Sequence, residues 1–485
     1  MLASLKNNRV NIILLSLVVA ICLASAFFIV QGGLLLPISL IAIAFLVAIQ
    51  IMFAQNQKSI VWVMLAYAFT LFLFDREVSH FQWGMLQEGI MVLGFITIIF
   101  TARRYDWKSL GNNDVFIWLT VWLFISVAEI ANPAGASVQG WLLEVRSAAL
   151  YPFIVFAIGF LLLKKNADLN TFFYIVLGFS VLAALNGMKQ LYIGPSPGEQ
   201  KFLDDGGAIT HLLWGKLRVF SFYSDAGQFG ASQAHITLMA FILAMGPFKW
   251  WKKLLLFGIG LITFYGMLIS GTRGALVGLV AGAFLALLIS KNFKAVLVGG
   301  IILCIFLGGL KYTTLGNNVY QIYRLRSALD PQEASLNVRL NNQALLREYL
   351  ATRPLGGGLG TMGDAGSKYN TGTFLATIPP DSYWVKVWGM YGIVGFTIWI
   401  CIMMYILGKC CGIIWNIKNP GLKVKLIALA SGYCGILMCS YGNEVINTSP
   451  SSYIVYISWV LIFIGPRLDK ELAETNILKS PQNAI

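Results

Sequence analysis

Long apolar segments separated by short polar connections run through almost the whole chain, and this pattern limits the fold more than any other feature. The 485 residues are 58% hydrophobic and only 12% charged, whereas a soluble globular chain has about a quarter of its residues charged. Inside a bilayer the backbone polar groups must be satisfied within the protein, so such segments predict membrane-spanning helices. We therefore predict an all-α, polytopic transmembrane helical bundle.

Hydropathy indicates about 12–14 spans and two long connections on one side of the membrane. The candidate spans are 10–30, 33–54, 59–74, 84–101, 114–131, 146–163, 171–192, 225–246, 254–270, 274–290, 294–311, 382–408, 424–442 and 450–465. The long connections are 189–224 and 312–381, and the second is the largest polar stretch of the chain. Within it, residues 335–350 have the apolar spacing of an amphipathic surface helix.

Lysine-rich and lysine-poor connections alternate along the chain, and this alternation predicts the orientation in the membrane. Lysine pairs such as Lys164 and Lys165 fall on the side that also holds the N-terminus. Because cytoplasmic loops carry an excess of basic residues, we predict cytoplasmic N- and C-termini and an outer location for residues 312–381. The net charge of +14 is explained by these loops, and no nucleic-acid-binding motif accompanies it.

Several arginines fall on the lysine-poor side, against the bias that sets orientation. Arg218 closes the first long connection, Arg273 lies in a tight turn between two spans, and Arg339 lies in the surface helix. One interpretation is that each reaches to lipid headgroups or pairs with a local acid. The other is that the three converge and bind phosphate, because the planar guanidinium group suits that anion.

The sequence predicts neither a metal site nor a cofactor. It contains no Asp-x-Asp motif and no Cys/His cluster with metal-ligand spacing. Asp204 and Asp205 are adjacent in a Gly-rich stretch and are interpreted as a turn. The glycine run at 356–360 lacks the Gly-Lys-Ser/Thr of a nucleotide-phosphate loop and is interpreted as a flexible turn after the surface helix. Arginines are then the natural groups to stabilise a departing diphosphate.

The end of the large connection holds the candidate general base. Asp381 precedes Ser382 and Tyr383 at the start of a span, where a carboxylate either caps the helix or takes a proton from a hydroxyl group. Lys386, one turn further, is a candidate partner of Asp381 or a further phosphate contact. Tyr383 and Glu444, the latter in the last outer connection, are weaker candidates.

Three stretches resemble the O-antigen ligase and polysaccharide polymerase family of bacterial inner membranes. The chain from Arg218 to Gly230 resembles the family's Arg-x-x-Gly-x-Phe-type entry to a span, and residues 270–275 resemble its Ser-x-Ser-Arg-Gly-Ala turn. Residues 353–360, 381–384 and 391–395 resemble the end of its large periplasmic loop and the following span. The likeness covers residues 218–408.

The resemblance implies a metal-independent, all-helical membrane glycosyltransferase. Such enzymes transfer a glycan from undecaprenyl diphosphate to a hydroxyl group of an acceptor glycan or lipid at the periplasmic face. By this likeness Arg218 and Arg273 bind the diphosphate, and Arg339 is a further candidate. A chain-length regulator or a flippase is the protein partner that the function suggests, and no nucleic-acid partner is expected.

The resemblance also suggests a division of the chain. Residues 1–217 hold the N-terminal spans and the first long outer loop, and 218–408 form the O-antigen ligase-like catalytic region with its periplasmic loop 312–381. Residues 409–466 hold the C-terminal spans, and 467–485 form a cytoplasmic tail.

One departure from the family pattern bears on the reaction. Family ligases usually have His-Asn-x-Tyr-Leu where this chain has Pro-Asp-Ser-Tyr-Trp at 380–384. Proline in place of histidine favours a polymerase of exopolysaccharide or O-antigen units over a lipopolysaccharide ligase, with Asp381 as the base.

Two other functions remain open at this point. A transporter that flips the lipid-linked glycan would usually show repeat symmetry and charges within broken spans, which the sequence does not display. A non-catalytic scaffold of an envelope complex would leave the outer arginines unexplained.

Overall fold

The computed structural model describes residues 47–78, 83–213, 215–291, 293–314, 320–327, 329, 334–380 and 382–479. Most of the first two predicted spans, and Asp381, lie outside these residues; residues 47–55 are helical. The longer helices are α1 (Ser59–Glu77), α2 (Trp83–Phe100), α3 (Asp114–Ala128), α4 (Val138–Leu162), α5 (Asn166–Tyr192), α6 (Ala226–Ala244), α7 (Trp250–Ile269), α8 (Arg273–Ser290), α9 (Phe293–Tyr312), α10 (Tyr320–Ser327), α11 (Ala334–Leu350), α12 (Tyr383–Asn416), α13 (Pro420–Cys439), α14 (Ser451–Phe463) and α15 (Gly465–Lys479).

Short helical turns and one small hairpin fill the connections. The turns are Ala102–Arg104, Trp107–Gly111, Glu129–Ala131, Pro197–Phe202, Leu203–Gly207, Ala208–His211, Gly363–Tyr369 and Phe374–Thr377. The strands β1 (Leu212–Leu213) and β2 (Lys216–Leu217) pair antiparallel, with Leu212 opposite Leu217.

The predicted fold class is confirmed. Within the described residues, nine helices are long and apolar enough to cross a membrane. A tenth span would combine α14 with the first part of α15, across a bend of 52°. The helix predicted at 335–350 is present as α11, but Leu340 and Leu345 of the predicted apolar face are 49% and 50% exposed, whereas Leu346 and Leu350 are buried.

The chain divides into two compact units, Met1–Ile60 with Gly89–Arg104 and Val61–Glu88 with Tyr105–Ile485. In the described part of the first unit, Gln50 Nε2 donates to Thr97 Oγ1 at 2.9 Å. A second bond of this kind, from Gln57 to Thr101, is 3.1 Å long. All the candidate site residues belong to the second unit.

Helix α6 is buried along almost its whole length within the second unit, where it packs against α7, α8 and α13. Small residues allow this close packing. A Cβ atom on Gly230 would lie 2.7 Å from the Cβ of Thr272, so only glycine lets the start of α6 approach the turn between α7 and α8. The N-terminal ends of α6 and α8 are thereby brought together.

The glycine run after α11 is docked against a kink in α12. Gly357 N donates to the Gly389 carbonyl oxygen at 2.9 Å, and Gly358 N donates to that of Met390 at 2.9 Å. The kink is at Gly392, whose φ of 66° is open to glycine but strained for other residues. The run forms a turn after the helix, as interpreted, but backbone bonds to α12 fix its position.

One boundary predicted from hydropathy is wrong. Helix α4 begins at Val138, not at 146, because the polar side chains of Glu144 and Arg146 that depressed its hydropathy are paired with charges on other helices. Residues 467–479 of the predicted tail belong to helix α15, and the cytoplasmic location of the tail stays a prediction.

Candidate active site

The loop that leads into α6 is held by polar side chains from two other helices. Arg76, near the end of α1, donates to the carbonyl oxygens of Ser221 at 2.8 Å and Ser224 at 2.9 Å, and also to that of Tyr223. Gln190 of α5 accepts the Ser221 N–H at 2.8 Å and donates to the Ser221 carbonyl oxygen at 3.2 Å. Because buried backbone groups need partners, these bonds fix the course of the loop.

Asp225, the last residue of this loop, caps the N-terminus of α6. Its Oδ1 accepts the Gln228 N–H at 3.0 Å, and its Oδ2 accepts the Ser224 hydroxyl at 2.8 Å. The Gln228 side chain donates to the Thr448 carbonyl oxygen at 2.7 Å. This bond joins the start of α6 to the connection between α13 and α14.

The turn between α7 and α8 presents Arg273 beside the start of α6. Thr272 Oγ1 donates to the Ala226 carbonyl oxygen at 2.7 Å. Arg218 Nη2 lies 3.5 Å from the same Oγ1. Arg218 therefore contacts the residue that directly precedes Arg273, the first residue of α8.

Arg324 of α10 approaches the same turn from another direction. It is 6% exposed, and its Nε donates to the Gly271 carbonyl oxygen at 3.3 Å. A Cβ atom on Gly271 would lie 3.5 Å from Arg324 Nε and 3.9 Å from Arg218 Cγ. The side chains of Arg218 and Arg324 therefore flank the turn.

Arg339 of α11 reaches the start of α8 near Gly442. A Cβ atom on Gly442 would lie 3.7 Å from Arg339 Nη1 and 3.8 Å from the Cα of Gly274. Asn443 lies between the two helix starts, since its Nδ2 would be 2.7 Å from a Cβ on Gly274 and its Oδ1 2.9 Å from one on Gly227. The structure thus brings Arg218, Arg273 and Arg339 to the adjoining N-terminal turns of α6 and α8.

Lys386 lies between two glutamates in the first turns of α12. Its Nζ is 2.9 Å from Glu444 Oε2 and 3.1 Å from Glu144 Oε1. The side chains of Lys386 and Glu144 are each 7% exposed, whereas that of Glu444 is 27% exposed. The cluster carries two carboxylates for one ammonium group.

A polar cavity of about 500 Å³ lies between Arg339 and the Lys386–Glu444 pair, and Arg218 and Arg273 are not among its lining residues. Its lining comes from six separate segments of the second unit. The lining residues are Phe72, Ser224, Asp225, Gln228, Arg339, Gly363, Asp364, Pro380, Lys386, Asn443, Glu444, Val445 and Thr448. Basic and acidic groups therefore face the same space.

Burial perturbs two titratable groups near the cavity. Burial is the largest influence on the pKa of Glu444 and raises it; the Lys386 ammonium lowers it and the Glu144 carboxylate raises it, with a net upward shift. Burial lowers the pKa of His211. The His211 ring is held by the Gly207 carbonyl oxygen, 2.9 Å from Nδ1, and by the Ala226 N–H, which donates to Nε2 at 3.2 Å. His211 is therefore a neutral structural residue.

The other predicted site residues differ in whether they line the cavity. Asp381 lies outside the described residues, so its role as a base stays a prediction. Tyr383 is 2% exposed, packs edge-on against Trp399 at 5.6 Å between ring centroids and does not line the cavity. Lys386 and Glu444 both line it. Among the residues that the structure describes, no group of three or more His, Cys, Asp or Glu side chains is arranged to hold a metal ion.

Arg76, Glu144 and Asp225 are among the polar residues of the site that were not predicted to belong to it. Arg76 and Glu144 lie in membrane-spanning helices. A charged residue there lowers the hydropathy of the segment but does not indicate which residue it pairs with. Asp225 lies inside the stretch that resembles the family motif and directly precedes an apolar helix, which is a helix-capping signal. Only the last of these could have been found from the sequence.

Comparison with known proteins identifies one family. Residues 258–400 match the family model described as O-antigen ligase. The matched region runs from within α7 to within α12 and contains Arg273, Arg339 and Lys386, whereas Arg218 and Glu444 lie outside it. The chain matches no sequence among curated proteins. The family resemblance predicted from the sequence is confirmed.

Proposed function

Since residues 258–400 form an O-antigen ligase family region, we propose that this membrane protein is a glycosyltransferase that uses a polyprenyl-diphosphate-linked oligosaccharide as donor. An acceptor hydroxyl group attacks the anomeric carbon of the donor sugar, and the polyprenyl diphosphate leaves. The carrier is undecaprenyl diphosphate, and the acceptor is a second glycan or a lipid.

The observation that carries the proposal is that Arg218 and Arg339, from separate segments, approach the turn that begins α8, whose first residue is Arg273. The N-terminus of a helix carries a partial positive charge and favours anions. Guanidinium groups bind phosphate oxygens through paired hydrogen bonds. This combination suits a diphosphate whose negative charge increases as the glycosidic bond breaks.

The proposal is that these arginines do what a divalent cation does in many phosphate-transfer enzymes. A fixed cation at the departing oxygen is effective in a partly dry site because the surrounding dielectric is low. The reaction would then proceed in the presence of a chelator.

Polymerisation is the favoured reaction. In the family pattern the histidine of the ligases is replaced here by Pro380. A polymerase adds one lipid-linked glycan to another, so both substrates carry a polyprenyl diphosphate. The product would be an exopolysaccharide or O-antigen chain, and a chain-length regulator or a flippase would be a natural partner.

The proposed location is the bacterial inner membrane, with the active site on the periplasmic side and both termini in the cytoplasm. The distribution of lysines supports this orientation. Lys386 lies near the start of α12. Lys409 lies near the end of this helix and Lys418 just after it, so this end would face the cytoplasm.

The proposal can be tested with the purified full-length protein in lipid nanodiscs. Supplied with an undecaprenyl-diphosphate-linked oligosaccharide in EDTA, it should produce a ladder of longer lipid-linked glycans and release undecaprenyl diphosphate. Arg218→Ala and Arg273→Ala should each lower the rate at least about tenfold, because each removes a phosphate contact. Arg353→Ala, an exposed arginine beyond the end of α11, should keep the wild-type rate.

Other outcomes would point to other functions. A single transfer to a lipid acceptor without a ladder would identify a ligase. Movement of the lipid-linked glycan across a liposome membrane without any lengthening would identify a flippase and contradict the proposal.

A further inference from the structure

Glu444 is an acidic residue of the polar cavity whose carboxylate contacts a buried lysine and does not cap a helix, unlike that of Asp225. Glu444 and Glu144 both contact Lys386, at 2.9 and 3.1 Å. Only Glu444 lines the cavity, and its side chain is 27% exposed against 7% for Glu144. The two carboxylates therefore share one ammonium partner but differ in their access to a substrate.

The position of Glu444 is set by elements on both sides of it. Lys386 holds the carboxylate from α12. One residue earlier, Asn443 lies against the starts of α6 and α8. Four residues later, the Thr448 hydroxyl donates to the Glu444 carbonyl oxygen at 2.8 Å. The residue is consequently held on both its backbone and its side chain.

The same cavity adjoins the proposed diphosphate site. Arg339 lines the cavity together with Glu444 and lies beside Gly442, two residues from Glu444. A donor whose diphosphate contacts Arg339 would therefore place its anomeric carbon in or next to the cavity. An acceptor hydroxyl group in the cavity would then face that carbon.

The charged groups around Glu444 suit its carboxylate to accept a proton. The groups that face it are Lys386 from α12, Glu144 from α4, Asp364 from the Gly363–Tyr369 helix, Asp225 from the start of α6 and Arg339 from α11. Burial raises the pKa of Glu444, and the carboxylates of Glu144 and Asp364 add to this effect, whereas Lys386 opposes it. A carboxylate with a raised pKa is a stronger base and remains ionised above that pKa.

We propose that the cavity binds the acceptor sugar and that Glu444 is the general base that receives the proton of its attacking hydroxyl group. The hydroxyl oxygen forms a bond to the anomeric carbon of the donor, and the hydroxyl proton passes to the Glu444 carboxylate. The bond from the anomeric carbon to the phosphate oxygen breaks, and its electron pair leaves with the diphosphate. Lys386 is a positioning residue that orients Glu444. This inference rests on the proposed glycosyl transfer.

The test compares three variants in the nanodisc assay, with undecaprenyl-diphosphate-linked oligosaccharide as the probe. Glu444→Gln keeps the shape of the side chain but removes the base, so turnover should fall at least about 100-fold, as expected for the loss of a general base. Binding of the lipid-linked donor should change less than about twofold, since the arginines remain. Glu444→Asp should recover part of the lost rate.

Glu144→Gln is the comparison variant, since it removes the other carboxylate that contacts Lys386. It should lower turnover less than Glu444→Gln does, because Glu144 does not line the cavity. It should also move the acidic limb of the pH–rate profile to lower pH, because it removes a negative charge that raises the pKa of Glu444. A purely structural role for Glu444 would not produce this shift.

The outcomes separate this inference from the proposed function. If wild type transfers glycan and Glu444→Gln, shown to be folded by size-exclusion chromatography and to bind donor, works at the wild-type rate, the role of Glu444 is refuted while the function stands. An acidic limb that disappears in Asp381→Asn but persists in Glu444→Gln would refute it in the same way. If wild type transfers nothing to any hydroxyl acceptor, the function itself fails.

Discussion

The ammonium group of Lys386 lies 2.9 Å from a carboxylate oxygen of Glu444, in a place where the lysine side chain is only 7% exposed. Replacing Lys386 by methionine would leave two carboxylates facing each other with no cation between them. Removal of one partner from a buried ion pair costs about 3–5 kcal/mol, so we expect a large fall in the unfolding temperature in detergent.

The control for this variant is another lysine of the same helix. Lys409 Nζ lies 2.5 Å from Asp114, but the two side chains are 46% and 38% exposed. Exposed pairs contribute about 1 kcal/mol or less, so Lys409→Met should leave the unfolding temperature almost unchanged. Equal effects of the two substitutions would show that the cluster at Lys386 is not stabilising in the way argued.

Lys386→Met also has a predicted effect on the pH dependence of the surviving activity. Lys386 lowers the pKa of Glu444, so its removal should raise that pKa further. Activity that needs the ionised carboxylate is present above the pKa and lost below it, so the acidic limb of kcat/KM should move to higher pH. This is opposite in sign to the shift expected for Glu144→Gln, and a pH–rate profile of each variant would check it.

Arg76 should affect the donor site through the loop that it holds. It donates to three carbonyl oxygens of the loop between Arg218 and the start of α6, and lysine cannot reproduce that fork. We expect Arg76→Lys to raise the KM for the lipid-linked donor about tenfold, because a small misplacement of a binding group is costly. The value of kcat should fall less. Arg104→Lys, at an exposed position, should leave both constants unchanged.

A glycine contact between α8 and α13 should be sensitive to a single methyl group. A Cβ atom on Gly278 would lie 2.7 Å from the backbone oxygen of Gly435, so Gly278→Ala would force the two helices apart. We expect about 1–3 kcal/mol of destabilisation, as for other overpacked sites. Gly258→Ala, in the middle of α7 with no atom within 4 Å of the added carbon, should be neutral or slightly stabilising. Thermal unfolding of the two variants compares them directly.

The features that the sequence predicts well are those that depend on local composition. The long apolar runs predicted most of the helices, and the spacing of Leu336, Leu340 and Leu345 predicted that α11 is a helix but not that Leu346 and Leu350 are its buried leucines. The arginine prediction used topology, because residues at the same membrane face can converge. The structure places Arg218 and Arg339 near the turn that begins α8, whose first residue is Arg273, and the role of the three in binding diphosphate remains a proposal.

The features that the sequence could not supply depend on pairing between distant segments. Glu144 and Lys386 lie 242 positions apart, and nothing in the sequence indicates that they pair with each other. The contact that compensates their burial exists only in the folded state. In the same way, the glycine run after α11 is ordered by backbone bonds to α12, which local turn chemistry does not reveal.

The most direct measurement is the affinity of the purified protein for undecaprenyl diphosphate and undecaprenyl monophosphate in excess EDTA. Arginine binding of the diphosphate predicts that wild type prefers the diphosphate at least about tenfold without any divalent ion. Arg218→Lys and Arg273→Lys, which keep the charge but lose the planar fork, should each lose most of that preference. A preference that requires a divalent ion, or one that survives both substitutions unchanged, would contradict the central claim.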